Sequence, residues 1–173
     1  SEGLLPGGGA PADDDLEAAI TILRKSGMAA AAKKAGRGAT EGAACIAYTP
    51  DGAACVLELN SETDFVARNA IFQELALGVA RSALGLDAPT TAASAELDIT
   101  SVSQASLDGK SMADADVASA TSVTEALGIA VSKLGENIVL RRACLLTPPA
   151  AGGLVCGYVH NTYAPDVGKT AAA

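Results

Sequence analysis

Tryptophan is absent from the sequence, and aromatic residues make up only 3% of its 173 positions. A core must therefore be built from Leu, Ile, Val and Ala, within a hydrophobic content of 49%. The length suits one domain with a real core or two small ones. Basic residues are also scarce, 12 Lys and Arg against 20 Asp and Glu, for a net charge of −8. Binding to a phosphate backbone needs clustered cations, so direct nucleic-acid binding is not expected. Histidine occurs once, as His160, and the four cysteines, Cys45, Cys55, Cys144 and Cys156, form no C-x-x-C pair. That argues against a zinc site. Each cysteine lies in an apolar, strand-like run, so buried free thiols are expected, with a Cys45–Cys55 disulfide as the lesser reading. No run approaches the ~20 apolar residues of a membrane helix, and no membrane insertion is expected. Residues 1–12 are rich in Gly and Pro, without the charged start and apolar middle of a signal peptide. The first residue is not Met, and the chain reads as a processed protein or a piece of a longer one. Gly7-Gly8-Gly9 lacks a following Gly-Lys-Ser/Thr and is not a phosphate loop. No Ser/His/Asp or Cys/His arrangement is visible, so neither an enzyme nor a cofactor is expected.

Along the chain, residues 1–12 read as a flexible lead. Asp13-Asp14-Asp15 open a helix with Leu16, Ala19, Ile20 and Leu23 as its stripe, and Gly27 is expected to end it. A second, Ala-rich helix is expected over 28–35, with Lys33, Lys34 and Arg37 as a solvated basic face. Residues 43–48 and 53–60 read as strands. Between them Thr49-Pro50-Asp51-Gly52 is a turn, with Pro fixing φ and Gly taking a positive one. Ser61 and Asp64 fit a capping box that opens a helix over 62–84. Its stripe is Phe65, Phe72, Leu75, Ala76 and Val79. Residues 85–121 read as a surface excursion with a short strand or helical turn. A helix over 121–134 carries Leu127, Val131 and Leu134 and stops at Gly135. Within 137–147, Ile138, Leu140, Ala143 and Leu145 face one side, while Val139, Arg141 and Cys144 face the other. Arg141 and Arg142 are expected to pair with acids. A last strand is expected over 154–160. The fold class is α+β: a small antiparallel sheet from 43–60 and 137–147, covered on one face by the helices at 62–84 and 121–134.

Four stretches resemble one family. They are Asn60-Ser61-Glu62-Thr63-Asp64-Phe65-Val66, the basic, Gly-containing run over 32–42, Lys133-Leu134-Gly135-Glu136-Asn137 with Arg141-Arg142, and Gly157-Tyr158-Val159-His160. The chain resembles elongation factor Ts, which exchanges nucleotide on elongation factor Tu. On helix physics alone, Asp64 is a capping residue and Phe65 the first rung of a core stripe. The resemblance implies instead that this pair is presented to the partner. It also implies that Leu134 lies near that contact and that His160 belongs to a second one.

The resemblance implies that the chain promotes GDP release and makes or breaks no bond itself. It divides the chain into 13–40 as a helical remnant, 41–148 as a first core subdomain with a variable excursion at 85–121, and 149–173 as the start of a second. The family's first two helices have no counterpart here, and its second core subdomain runs past Ala173. That leaves an alternative, a non-exchanging scaffold domain in an organellar assembly such as a ribosome or respiratory complex. A long 85–121 segment tilts the expected location to the mitochondrion, with chloroplast and bacterial cytoplasm as alternatives.

Overall fold

A computed structural model describes residues 13–86, 93–110, 112–149, 155–164 and 167–169. The expected lead at 1–12 lies outside them. The first helix, α1 (Asp13–Lys34), runs through Gly27 without a break. The two helices expected at 13–27 and 28–35 are therefore one. The reason is tertiary. A β-carbon at Gly27 would sit 2.9 Å from the Gly128 carbonyl carbon, so this glycine lets two helices touch rather than ending one. In the expected stripe, Ala19 is exposed and Ile20 half-buried, while the Leu16 and Leu23 side chains lie outside the described residues.

A hairpin follows, β1 (Glu41–Tyr48) and β2 (Ala54–Ser61). Its turn closes as expected: Gly52 has φ 92° and donates its N–H to the Thr49 carbonyl at 3.1 Å. The helix expected over 62–84 is two helices, α2 (Asp64–Ala67) and α3 (Ala70–Ala83). Ser61 ends β2 and does not cap; Thr63 caps α2, and Asn69 starts α3 anew by accepting the Ile71 N–H at 2.9 Å.

The segment expected as a surface excursion forms β3 (Ser94–Glu96), α4 (Ile99–Gln104) and α5 (Ala115–Ala118). It also supplies core residues, Leu97, Val102 and Val117. Its apolar residues are sparse but spaced one per turn or bend, which suffices to anchor short elements. Next come α6 (Val123–Leu134) and β4 (Ile138–Leu146). Gly135, at φ 78°, ends α6 in the left-handed conformation as expected. The buried face of α6 is Val123, Ala126, Ile129, Ala130 and Val131; Leu127 and Leu134 are only half-buried, so the expected stripe is rotated.

No strand forms over the described residues 155–160. The strands lie later, as β5 (Thr162–Ala164) and β6 (Val167–Lys169). Their pairing yields one antiparallel sheet in the order β3-β4-β2-β1-β6-β5. The α+β architecture is thus as expected, with a wider sheet.

One side of the sheet holds the core. Ala43, Cys45, Leu57, Leu59, Leu140 and Ala143 meet Phe72, Leu75 and Val79 of α3, and Ile129 of α6 belongs to the same cluster. The register between β2 and β4 shifts between Glu58 and Leu59, leaving Arg141 as an extra residue. This bulge switches the alternation, so Leu140 and Ala143 share the core face although they are three apart. It also leaves Arg141 and Arg142 both exposed. Arg142 pairs with Glu58 at 2.6 Å, as expected. Arg141 does not pair with an acid; it donates to the Asn60 side-chain oxygen at 2.9 Å and the Ala39 carbonyl at 3.0 Å.

None of the four cysteines forms a disulfide. Cys45 stands opposite Leu57 and Cys55 opposite Ala47, so the hairpin register separates the two thiols. Cys45 and Cys55 are buried as expected, but Cys144 is half-buried and Cys156 exposed, since residues 155–160 form no strand to cover it.

Candidate functional site

The site is built around α2. Thr63 adopts an extended backbone and its hydroxyl accepts the Val66 N–H, starting a single turn. Within that turn Val66 and Ala67 are buried against the sheet, and Phe65, between Asp64 and Val66, is 80% exposed. Phe65 is therefore not a rung of the core stripe. Phe72, Leu75, Ala76 and Val79 fill that role without it.

Asp64 is half-buried and accepts from Arg68, one turn later, at 3.0 Å. The Arg68 guanidinium lies 5.7 Å from the ring centre of Tyr163 on β5. Burial pushes the Tyr163 phenol above its ordinary pKa; Arg68 opposes the rise, and the nearby Asp64 and Glu41 carboxylates add to it. This contact joins α2 to the far edge of the sheet.

A second set of contacts joins α2 to the turn between α6 and β4. The Glu136 carboxylate accepts the Thr63 N–H at 3.0 Å and the Thr63 hydroxyl at 2.6 Å. In return, Glu62 accepts the Asn137 N–H at 2.7 Å. Asn137 is buried and donates its side-chain amide to the Arg37 carbonyl at 2.8 Å. Arg37 also lies 3.5 Å from Glu62, and Lys34 reaches the Val131 carbonyl at 3.4 Å. Of the basic face expected to be merely solvated, Lys34 and Arg37 are thus tied into the fold.

The expected partner residues fall on three neighbouring elements. Asp64 and Phe65 stand on α2. Leu134, half-buried, ends α6 two residues before Glu136. His160 is exposed in the approach to β5, with its Nδ1 3.2 Å from the Tyr158 hydroxyl. Contacts through Glu136–Thr63 and Arg68–Tyr163 connect these elements; His160 itself is described against Tyr158, which is 83% exposed.

The connection of Glu62, Thr63, Glu136 and Asn137 into one group is not among the expectations from sequence. The signal lay in the two motifs themselves, each of which carries an acid with no assigned partner. Arg68 and Tyr163 gave no comparable signal. Among the described residues no group of His, Cys, Asp and Glu could hold a metal ion. A cavity of about 480 Å³ is lined by Glu58, Asn60, Glu96, Arg141 and Arg142, among others, and includes none of the expected partner residues.

The family model described as "Elongation factor TS" matches residues 62–172. The elongation factor Ts of Brucella anthropi is 42% identical over 160 residues, covering 92% of this chain and 45% of that protein. Those of Brucella ovis and Brucella canis match with the same identity and coverage. The chain thus spans about half the length of the curated relatives it matches. The family match contains α2, the turn after α6 and the approach to β5. On these matches, this chain belongs to the elongation factor Ts family.

Proposed function

We propose that the chain carries a docking core of a guanine-nucleotide exchange factor for elongation factor Tu, promoting GDP release in translation elongation. The observation that carries this reading is Phe65, an apolar ring 80% exposed on a one-turn helix whose neighbours are buried or hydrogen-bonded. Family membership supplies the partner.

The action is mechanical. Elongation factor Tu holds GDP through phosphate-loop N–H groups, a lysine and Mg²⁺. Asp64 and Phe65 act as a wedge toward the Mg²⁺ side, with Leu134 beside them, and His160 serves a second contact. No bond is made or broken by this chain. The coupling is reciprocal, so GDP weakens binding of the factor as much as the factor weakens GDP.

The bacterial relatives favour the bacterial cytoplasm among the locations left open by the sequence. The division near residue 149 is proposed on family likeness. The pairing of β6 with β1 means that a second subdomain would begin on the edge of the first sheet. Release of a fluorescent GDP analogue from elongation factor Tu tests the reading. Acceleration by the protein that Phe65→Ala removes supports it. No acceleration at concentrations where the protein is folded sinks it and leaves the scaffold alternative.

A further inference from the structure

We propose that Glu62, Thr63, Glu136 and Asn137 form a two-way latch that positions Phe65, so that α2 and the α6–β4 turn dock as one rigid surface. The inference rests on the exchange reading and adds residues that act through Phe65 without touching the partner.

The geometry is reciprocal. Glu136, from the turn, grips the Thr63 N–H and hydroxyl with separate oxygens at 3.0 and 2.6 Å. Glu62, from the approach to α2, grips the Asn137 N–H at 2.7 Å. Each acid thus holds the backbone beside the other acid, across more than 70 residues of sequence. The Ser61 hydroxyl adds a third tie by donating to the Thr63 carbonyl at 2.9 Å.

Such ties matter because α2 has four residues. One helical turn fixes several dihedrals for few hydrogen bonds and does not hold itself. Phe65 is too exposed for its surroundings to orient it. Its direction therefore follows the backbone of 63–67, which the latch fixes at one end and the buried Val66 and Ala67 fix at the other. Charge-assisted bonds to main-chain N–H groups are the strong kind for this task. The same latch ties Leu134, two residues from Glu136, to the wedge.

A latch that only stabilised the fold would shift the melting temperature and leave docking by the folded fraction unchanged. A positioning latch is read through Phe65. The experiment measures affinity for nucleotide-free elongation factor Tu in Glu136→Ala, Phe65→Ala, the double variant and Thr63→Ser, below the melting temperature of each. Amide hydrogen exchange at Val66 and Ala67 is followed in parallel. Glu136→Ala should weaken affinity about tenfold, within the usual range of coupling between sites. In the Phe65→Ala background the same change should cost less than about twofold, because residues acting as a unit are non-additive. Thr63→Ser, which keeps the hydroxyl, should bind like the parent, and the Val66 and Ala67 amides should exchange faster in Glu136→Ala. Should Glu136→Ala fail to fold, Glu62→Gln is the milder break, with the same direction expected. A loss of equal size with and without Phe65, or no loss at all, overturns the proposal. If the parent protein neither binds nor accelerates release, the exchange reading fails; unchanged protection of Val66 and Ala67 in Glu136→Ala then overturns the latch separately.

Discussion

Phe65 and Leu75 show how far position outweighs residue type. Both are large and apolar, yet Phe65 is 80% exposed and Leu75 fully buried. Phe65→Ala should change stability by less than about 0.5 kcal/mol, as exposed substitutions do. Leu75→Ala should cost about 2–5 kcal/mol through lost burial and a cavity. Denaturant midpoints of the two variants check both values; a large loss for Phe65→Ala would mean that the ring packs inward. Thiol chemistry divides in the same way. Burial, with Cys144 nearby, pushes the Cys55 thiol up to about 12, whereas Cys156 is exposed. Since the thiolate is the reactive form, brief alkylation of the folded protein at pH 8 should modify Cys156 and spare Cys55. Peptide mapping by mass reads the result.

Helix α6 is engaged by α1, α3, α4 and α5. Its Gly128 touches Gly27 of α1, and its Glu125 pairs with Arg24. Gly27→Leu should force the two helices apart and cost about 1–3 kcal/mol, as overpacking does, read by thermal melting. At its other end Lys133 reaches across to α5, within 2.8 Å of Asp114 and 2.6 Å of Asp116. Partial burial of Asp114 works against its charge, but the Lys133 and Val117 hydrogen bonds win and hold its pKa below the usual carboxylate range. A depressed acid contributes stability that is present above its unfolded pKa, about 3.9, and is lost as pH falls through the folded value. Asp114→Asn should therefore melt lower than the parent near neutrality, with the gap closing below about pH 4. A gap that stays constant with pH would remove Asp114 as its source.

These contacts also explain what the sequence could convey about each element. Thr49-Pro50-Asp51-Gly52 and Gly135 were legible because turn chemistry is local: a glycine with positive φ marks itself. The core face of β4, Ile138, Leu140, Ala143 and Leu145, follows from its residue pattern, although the bulge at Arg141 needs the β2 register to become visible. Gly27 misled because its role depends on Gly128, about a hundred residues away in sequence. Ser61 reads as a cap as readily as Thr63, two residues on, because both offer a hydroxyl, and only the geometry of β2 decides between them. In the site, Asp64, Phe65, Leu134 and His160 were named from family likeness, not from helix physics, which favoured a buried Phe65. The sequence shows the latch only as two acids without assigned partners, because the fold alone pairs them.

At the scale of the whole molecule, one antiparallel sheet carries both ends of the proposed docking surface. Its central strands β1, β2 and β4 rest on α3, and its outer strands bring Tyr163 to Arg68. The large apolar core lies behind the sheet, leaving α2 at its margin free to present a ring outward. A rigid scaffold with a small exposed wedge is what a factor needs that acts by differential binding, since only contacts stronger in the nucleotide-releasing state accelerate release.

The central claim is that Phe65, held outward on α2, drives GDP from elongation factor Tu. The most direct test is the rate of fluorescent GDP release from elongation factor Tu with the protein, with Phe65→Ala and with neither. The account predicts acceleration by the protein and a fall of at least about tenfold with Phe65→Ala, a loss of ~1.4 kcal/mol of differential binding, at unchanged melting temperature. Equal acceleration by the protein and by folded Phe65→Ala would contradict it.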